Sequence, residues 1–191
     1  MAGSAPADTD WSERRSDARR NHERVLAAAV EVFTEHGLDA TIPQIAERAG
    51  VGKATVYRSY PTKADLVRAI AMVHIGWLRE LIVQAAADAE TDAYAALQAL
   101  LEAVTTRLAT DRLMADVLNT VDDLEEDPQL AQTGERLLDL AKEQGTLRED
   151  ATMTDITVLV AGFAHSLTEL EVTDPAVWRR YAMLTLAALR R

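Results

Sequence analysis

Helix breakers are scarce in this sequence, and their scarcity constrains the fold more than any other feature. The 191 residues include only eight glycines and five prolines, the two residue types that most disfavour a helix interior. Apolar residues recur at intervals of three and four positions, and no stretch alternates apolar and polar residues as a half-buried strand does. We therefore predict an all-α protein of about nine helices.

The few breakers mark the ends of short predicted helices in the first third of the chain. The first helix ends at Gly37, which suits the left-handed position after a helix. Thr41 opens a second helix as the start of a capping box that Gln44 completes. The turn Gly50-Val51-Gly52 separates it from a third helix, which ends before Pro61. Two short helices joined by a three-residue, glycine-containing turn are typical of a helix-turn-helix.

The helical pattern continues to the end of the chain. A long fourth helix begins after the cap Thr62 and is expected to connect two domains. Five further helices are predicted after it, at about 92–108, 111–121, 127–145, 152–170 and 174–191. Pro128 and Pro175 each follow an Asp, so each pair supplies an N-cap and a first-turn proline.

Charge is distributed unevenly along the chain. Residues 1–75 contain ten basic and ten acidic side chains, whereas residues 76–191 contain ten and twenty-one, so the second part holds the whole net charge of −11. The first part also clusters five arginines, at positions 14, 15, 19, 20 and 24. Phosphate contact depends on a local basic patch, so an acidic chain can still bind nucleic acid. We expect a disordered extension over 1–14, a helix-turn-helix domain over 15–75 and a helical domain over 76–191.

Several classes of protein are disfavoured. The chain contains no cysteine, which excludes disulfides and Cys-ligated zinc. No HExxH pair, glycine-rich phosphate loop or G-x-S-x-G elbow is present, so we expect neither an enzyme nor a cofactor. The longest stretch without Asp, Glu, Lys or Arg, Ile156 to Thr168, has 13 residues and is too short to span a bilayer. Without a secretory signal, the expected location is the cytoplasm.

A block of residues from about Arg20 to Ile70 combines the helix-turn-helix with a specific order of flanking residues. It comprises Val25-Leu26-Ala27-Ala28-Ala29, Phe33, His36-Gly37, Thr41-Ile42, Ile45-Ala46, Ala49-Gly50-Val51, Thr55-Val56-Tyr57, Tyr60-Pro61, Lys63 and Leu66. This block resembles the DNA-binding domain of the tetracycline-repressor (TetR) family. The sequence departs from the family where Gly52, Ser59 and Tyr60 stand in place of the frequent Ser, His and Phe.

The resemblance implies a homodimer that binds a palindromic double-stranded DNA operator and releases it when a small-molecule effector binds the second domain. In such a motif the third helix enters the major groove N-terminus first, so Lys53 and Thr55 can contact base edges. Thr41, Tyr57 and Lys63 resemble the family's phosphate-contacting positions. The full set of candidate DNA-binding residues is Arg19, Arg20, Thr41, Gln44, Lys53, Ala54, Thr55, Tyr57, Arg58, Tyr60 and Lys63.

Plainer interpretations stay open at this point. Tyr57 could be half-buried packing, and Lys53 could be a solvated lysine. The arginine cluster could be an arm in the minor groove or a solvated helix start balanced by nearby Glu and Asp. The protein could also bind DNA constitutively, with a second domain that only dimerises.

The second domain is expected to dimerise and to bind the effector. The helix over 154–170 is apolar nearly all round and the last helix is similar, so each should be covered on two sides. Pairing both with a symmetry mate would give a four-helix interface, although burial within a monomer is the alternative. The candidate dimer residues are Leu159, Phe163, Leu167, Trp178, Tyr181 and Leu184. The candidate ligand-binding residues, each individually a plausible core residue, are His74, Trp77, Leu100, Val104, Met114, Leu118, Leu137 and Phe163.

One further stretch of the second domain has two interpretations. The acidic run over 122–127 could bind a cation, because carboxylates are the ligands that calcium prefers. A solvated loop followed by a helix cap is the simpler interpretation, and we expect no metal.

Overall fold

A computed structural model of the chain describes residues 9–111, 113–114, 117 and 128–191. Within these ranges the single pairing of extended backbone is an isolated bridge between Leu147 and Arg190, so the all-α prediction is confirmed. None of the described helices is long and apolar enough to cross a membrane. The helices are α1 (Thr9–His36), α2 (Ile42–Ala49), α3 (Lys53–Ser59), α4 (Lys63–Thr110), α5 (Pro128–Glu143), α6 (Met153–Glu169) and α7 (Pro175–Ala188).

The described ranges hold seven helices where the sequence predicted about nine. The fourth and fifth predicted helices run together as α4, in which Asp92 alone has non-helical dihedral angles, φ −150° and ψ 93°. Of the helix predicted over 111–121, most lies outside the described residues, although Leu113, Met114 and Val117 are helical. The acidic run over 122–127 also lies outside them.

The first helix begins earlier than the sequence indicated. We expected its start near Arg15, whereas α1 begins at Thr9. Six of the eight residues from Glu13 to Arg20 are Arg, Glu or Ala, which are all good helix formers. Residues 1–8 of the extension that was expected to be disordered lie outside the described residues.

The described residues divide into two compact units, with the boundary between Ala71 and Met72. This boundary lies close to the domain boundary predicted between residues 75 and 76. Helix α4 begins in the first unit and ends in the second.

Each helix of the first unit contributes buried apolar side chains. Phe33 of α1, Ile45 of α2, Val56 of α3, and Leu66 and Ile70 of α4 are all at most 2% exposed. Full burial of one such side chain contributes about 1.5–3 kcal/mol to folding. These five residues therefore fix the positions of two helices that are each too short to be stable alone.

Polar contacts attach α2 to α1 around the apolar core. The Arg48 guanidinium bonds Glu31 at 3.1 Å and Glu35 at 2.9 Å, and its hydrogen bonds hold the pKa of Glu35 below the ordinary value. Arg24 of α1 donates to the carbonyl of Ala49 at 2.7 Å, which satisfies a backbone group that the end of α2 leaves free.

The second unit is built from the C-terminal part of α4 together with α5, α6 and α7. Its main core includes Leu97 and Leu101 of α4, Leu137 and Leu138 of α5, and Leu186 of α7. A smaller cluster joins α4, α6 and α7 through Ala109, Leu167 and Trp178.

Two side chains stabilise the break in α4. The Gln144 side chain accepts from the N–H of Ala93 and donates to the carbonyl of Ala89, both at 2.8 Å. The carboxylate of Asp92 accepts from the N–H of Ala95 at 3.0 Å and caps the helix that restarts there. Three backbone groups at the break therefore have hydrogen-bond partners.

We predict that Gln144→Ala lowers the free energy of unfolding by about 1–3 kcal/mol, because two backbone groups at the break lose their partner. Urea denaturation followed by circular dichroism measures the change. Gln132→Ala, at an exposed position of α5, is the matched control and should stay within about 0.5 kcal/mol of the wild type. Equal stability of the two variants would show that the bridge contributes nothing.

Candidate nucleic-acid interface

The helix-turn-helix predicted from the sequence is present as α2, a three-residue turn and α3. The Gln44 Oε1 accepts from the backbone N–H and the hydroxyl of Thr41, both at 2.7 Å, and completes the predicted cap of α2. Gly50 ends α2 at φ 63°, the left-handed conformation that favours glycine. After Gly52, the N–H of Thr55 bonds the Gly52 carbonyl at 2.8 Å and starts α3.

One buried residue determines which side of α3 faces solvent. Val56 is fully buried, whereas the Tyr57 side chain next to it is 49% exposed. Lys53, Ala54 and Arg58 are exposed as well, and Thr55 is half-buried. The open side of α3 therefore presents an ammonium, a guanidinium, a phenol and a hydroxyl, which are donors for base edges and phosphates.

The start of α4 supplies a further cation to the first unit. Thr62 and Asp65 form the predicted capping box, with the Thr62 N–H 2.8 Å from Asp65 Oδ2 and the Asp65 N–H 3.1 Å from Thr62 Oγ1. Lys63 is the first helical residue, and its ammonium lies 6.0 Å from the centroid of the Phe33 ring. A lysine at a helix N-terminus suits a phosphate contact, because the free backbone N–H groups there favour an anion.

Tyr60 is a correction to the predicted DNA-binding set. Its side chain is 3% exposed, and its ring stacks on His22 with centroids 4.9 Å apart. The hydroxyl lies 3.0 Å from His22 Nε2, and burial raises the pKa of Tyr60. Because Tyr60 follows α3 in an extended conformation, its ring points into the first unit and has almost no surface to offer DNA.

The arginines of α1 fit both interpretations left open by the sequence. Arg19 and Arg20 are exposed, but each is paired with an acid on its own helix, Arg19 with Glu23 and Arg20 with Asp17. Exposed pairs of this kind contribute about 0–1 kcal/mol, so a phosphate can displace them at little cost.

The predicted dimer residues separate into two groups. Leu159, Tyr181 and Leu184 are exposed by 40%, 41% and 53%, and together with the half-buried Phe163 they line an open apolar groove of about 360 Å³ between α6 and α7. Leu167 and Trp178 are buried in the chain's own core at 5% and 1% exposure.

The prediction that Leu167 and Trp178 lie in the dimer interface is wrong, because contacts within the chain already bury both side chains. The Trp178 indole N–H donates to the carbonyl of Val172 at 2.8 Å, and Ala109 of α4 shares the same buried cluster. Both side chains are thus covered within one copy of the chain and leave no surface for a second copy.

The predicted ligand-binding residues that the structure describes are buried or half-buried, and Leu100 and Phe163 pack against the main core of the second unit. Leu137 belongs to the main core of the second unit. Met114 is buried, and Trp77, Leu100, Val104 and Phe163 are half-buried. Leu118 lies outside the described residues.

Two of the predicted ligand-binding residues, His74 and Trp77, contact Arg107, which the sequence analysis did not single out. Arg107 Nη2 lies 3.1 Å from Nδ1 of the buried His74, and the Arg107 guanidinium lies 4.3 Å from the centroid of the Trp77 ring. His74 and Arg107 are 33 positions apart, so no local pattern could have joined them.

We predict that Tyr60→Phe lowers the free energy of unfolding by about 1 kcal/mol, because His22 loses the hydroxyl that it contacts. Tyr57→Phe is the matched control, since its hydroxyl belongs to an exposed side chain, and should change stability by less than about 0.5 kcal/mol. Urea denaturation of both variants makes the comparison. A larger loss in Tyr57→Phe would contradict the placement of the two rings.

Comparison with known proteins agrees with the geometry of the first unit. A family model for bacterial regulatory proteins of the tetR family matches residues 25–70, a range that contains α2, the turn and α3. The transcriptional repressor LfrR of Mycolicibacterium smegmatis is 36% identical over 83 residues, which cover 44% of this chain and 43% of LfrR. The chain spans less than half the length of LfrR and of other curated relatives that it matches.

Solved structures extend the similarity over nearly the whole chain. SmeT, the repressor of the multidrug efflux pump SmeDEF of Stenotrophomonas maltophilia, is 26% identical, with a TM-score of 0.60 over 89% of this chain and 90% of SmeT. The TetR transcriptional regulator SCO0520 of Streptomyces coelicolor is 32% identical, with a TM-score of 0.59 over 88% of this chain and 98% of SCO0520. The chain therefore belongs to the tetR family of bacterial regulatory proteins.

Proposed function

We propose that the protein is a dimeric transcription repressor that binds a palindromic operator through α3 and is released by a small-molecule effector. The observation that supports this best is the exposed, basic side of α3 on a helix fixed by the buried Val56, in a family-matched helix-turn-helix. LfrR and SmeT are described as repressors, which supports repression rather than activation.

The charge around α3 favours DNA in spite of the acidic chain. Helix α3 contains Lys53 and Arg58 and no acidic residue. Arg48 of α2 pairs with two acids of α1, Glu31 and Glu35, and so offsets one of their two negative charges locally. A phosphate backbone approaching α3 therefore meets cations first.

The arrangement assigns different roles to the exposed residues. In a docked helix-turn-helix the N-terminal end of the second helix faces the base edges, so Lys53 and Thr55 would read sequence. Tyr57, Thr41 and Lys63 would bind phosphates, which positions the helix without specifying sequence. Gln44 uses its carbonyl oxygen for the α2 cap and would offer its amide NH₂ to the backbone of the DNA.

The apolar groove between α6 and α7 supports a dimer. Val158 and Leu184, two of its lining residues, expose 63% and 53% of their surface. Large apolar side chains grouped at the surface mark interaction sites, and a second copy of the chain can cover the same face by two-fold symmetry. Such symmetry matches a palindromic operator, whose half-sites lie about 34–36 Å apart.

The proposed role is regulation and not catalysis. SCO0520 is described as a transcriptional regulator, as are the curated relatives. A regulator of this kind needs no cofactor and acts in the bacterial cytoplasm, where the DNA is.

We predict that Lys53→Ala and Tyr57→Ala weaken DNA binding in different ways. Lys53→Ala should cost about 1–3 kcal/mol on the operator and little on a random duplex, because a base contact is lost. Tyr57→Ala should weaken both duplexes similarly, because a phosphate contact is lost. Fluorescence anisotropy with DNA from upstream of the protein's own gene, across a salt series, measures both.

The control for this pair is Arg180→Ala, which removes an exposed cation of α7 and should leave both affinities unchanged. A uniform loss in Lys53→Ala would remove its base-reading role. Failure of the wild type to bind either duplex at low salt would overturn the proposed function.

We also predict that Leu184→Glu converts a dimer into a monomer, because a buried, unpaired carboxylate would be forced into the interface. Leu170→Glu is the matched control, since Leu170 is 72% exposed and does not line the groove. Size-exclusion chromatography with light scattering gives the mass of each variant. A monomeric wild type, or a dimeric Leu184→Glu, would contradict the assigned interface.

A further inference from the structure

The second unit contains a polar cluster that neither the DNA contacts nor the dimer face uses. We call His74, Trp77, Arg107 and Asp111 the His74 cluster. His74 is 4% exposed, and Arg107 contacts the other three, with Nη2 3.1 Å from His74 Nδ1 and Nε 3.6 Å from Asp111 Oδ2. Asp111 Oδ2 lies 4.0 Å from His74 Nδ1, which is too far for a hydrogen bond. The stacking of Arg107 on the Trp77 ring completes the cluster.

The contact with Arg107 determines where His74 holds its proton. An arginine side chain can only donate, so His74 Nδ1 accepts, and the neutral ring has its hydrogen on Nε2. Burial lowers the pKa of His74, an effect that Asp111 opposes and Arg107 adds to. The neutral ring is therefore the favoured form near pH 7.

His74 Nε2 is a buried donor in need of an acceptor. Among the described residues, it is the buried side-chain atom that has no hydrogen-bond partner. Native structures seldom leave a buried donor unpaired, and such an atom calls for a specific explanation. A bound molecule that supplies an oxygen to Nε2 is one explanation, and it fits a domain proposed to bind an effector.

The charges of the cluster restrict what that molecule can be. The positive charge of Arg107 is already offset by Asp111, and His74 is neutral. A buried anion would thus add an uncompensated negative charge, and a cation would add a positive one beside Arg107, both at high cost. An uncharged molecule meets neither penalty. The half-buried Trp77 and Val104 supply apolar surface on the same helix.

We infer that the His74 cluster is the polar end of the effector site, and that the effector is an uncharged, largely apolar molecule whose carbonyl or ether oxygen accepts from His74 Nε2–H. This inference rests on the proposed function, since it gives the second unit's effector a chemical class. Arg107 acts as a positioning residue, because it holds the ring in the donating tautomer.

Three probes of similar size test the inference: acetophenone, ethylbenzene and benzoate. All three contain a benzene ring. Acetophenone adds a neutral carbonyl, ethylbenzene has no hydrogen-bond acceptor, and benzoate carries a carboxylate. Each is titrated into full-length protein labelled with ¹⁵N at histidine, and NMR follows the His74 ring nitrogens. We expect a protonated Nε2 in the free protein and a shift of its signal with acetophenone, which should bind about tenfold more tightly than the other two.

Two variants complete the test. His74→Phe keeps a ring without the donor and should abolish the preference for acetophenone over ethylbenzene. His36→Phe changes an exposed histidine of the first unit and should retain it. The tautomer and the probe series in the wild type remain decisive even if His74→Phe does not fold.

Several results would overturn the inference: an unprotonated Nε2, equal affinity for acetophenone and ethylbenzene, tighter binding of benzoate, or no probe bound at millimolar concentration. Operator binding by the same sample separates the two proposals. If the protein binds its operator but none of the probes, only the assigned effector site is overturned. If the protein binds no DNA, the proposed function is overturned.

Discussion

Burial of Val56 beneath α3 is the interaction on which the candidate DNA-binding surface depends. Helix α3 has seven residues and α2 has eight, and isolated helices of that length are unstable in water. Both exist because Val56 and Ile45 are completely buried in the first unit. The same burial turns Lys53 and Tyr57 toward solvent. Packing of α3 against the core therefore also exposes the side chains proposed to contact DNA.

The polar contacts around this core determine where the helices begin and end, whereas the buried apolar side chains supply most of the stability. Gln44 caps the start of α2, Gly50 ends it in the left-handed region, and Arg24 binds the carbonyl at its end. Together they fix where α2 begins and where it ends, and hence where the turn to α3 starts. The second unit uses a similar device at the break in α4, where Gln144 bonds the backbone on both sides of Asp92.

Features encoded locally were predictable from the sequence, and features that join distant residues were not. The capping residues Thr41 and Thr62, the N-cap Asp174 and the turn at Gly50 act over a few positions, and the structure confirms each of them. The contacts of Tyr60 with His22 and of Arg107 with His74 join residues 38 and 33 positions apart. No periodicity or spacing reports such pairs.

The dimer and ligand predictions show the same limit. Helix α6 is apolar on several sides, but periodicity cannot say which side meets the chain's own core. Leu167 therefore entered the predicted interface although it is buried, whereas Leu159 of the same helix is 40% exposed. The prediction of two separate helices in place of α4 was wrong for a related reason. Asp92 is an equally good N-cap for a new helix and for a helix that restarts after a one-residue break.

Methylation interference tests the central claim most directly, which is that two α3 helices read the major groove of one operator. The protein is used to select fragments from the genomic DNA of its source organism, and the selected fragments are then partly methylated. Methylation at guanine N7, which lies in the major groove, should block binding at two symmetric half-sites about one helical turn apart. Interference only at adenine N3 in the minor groove, or at a single unsymmetric patch, would contradict the account.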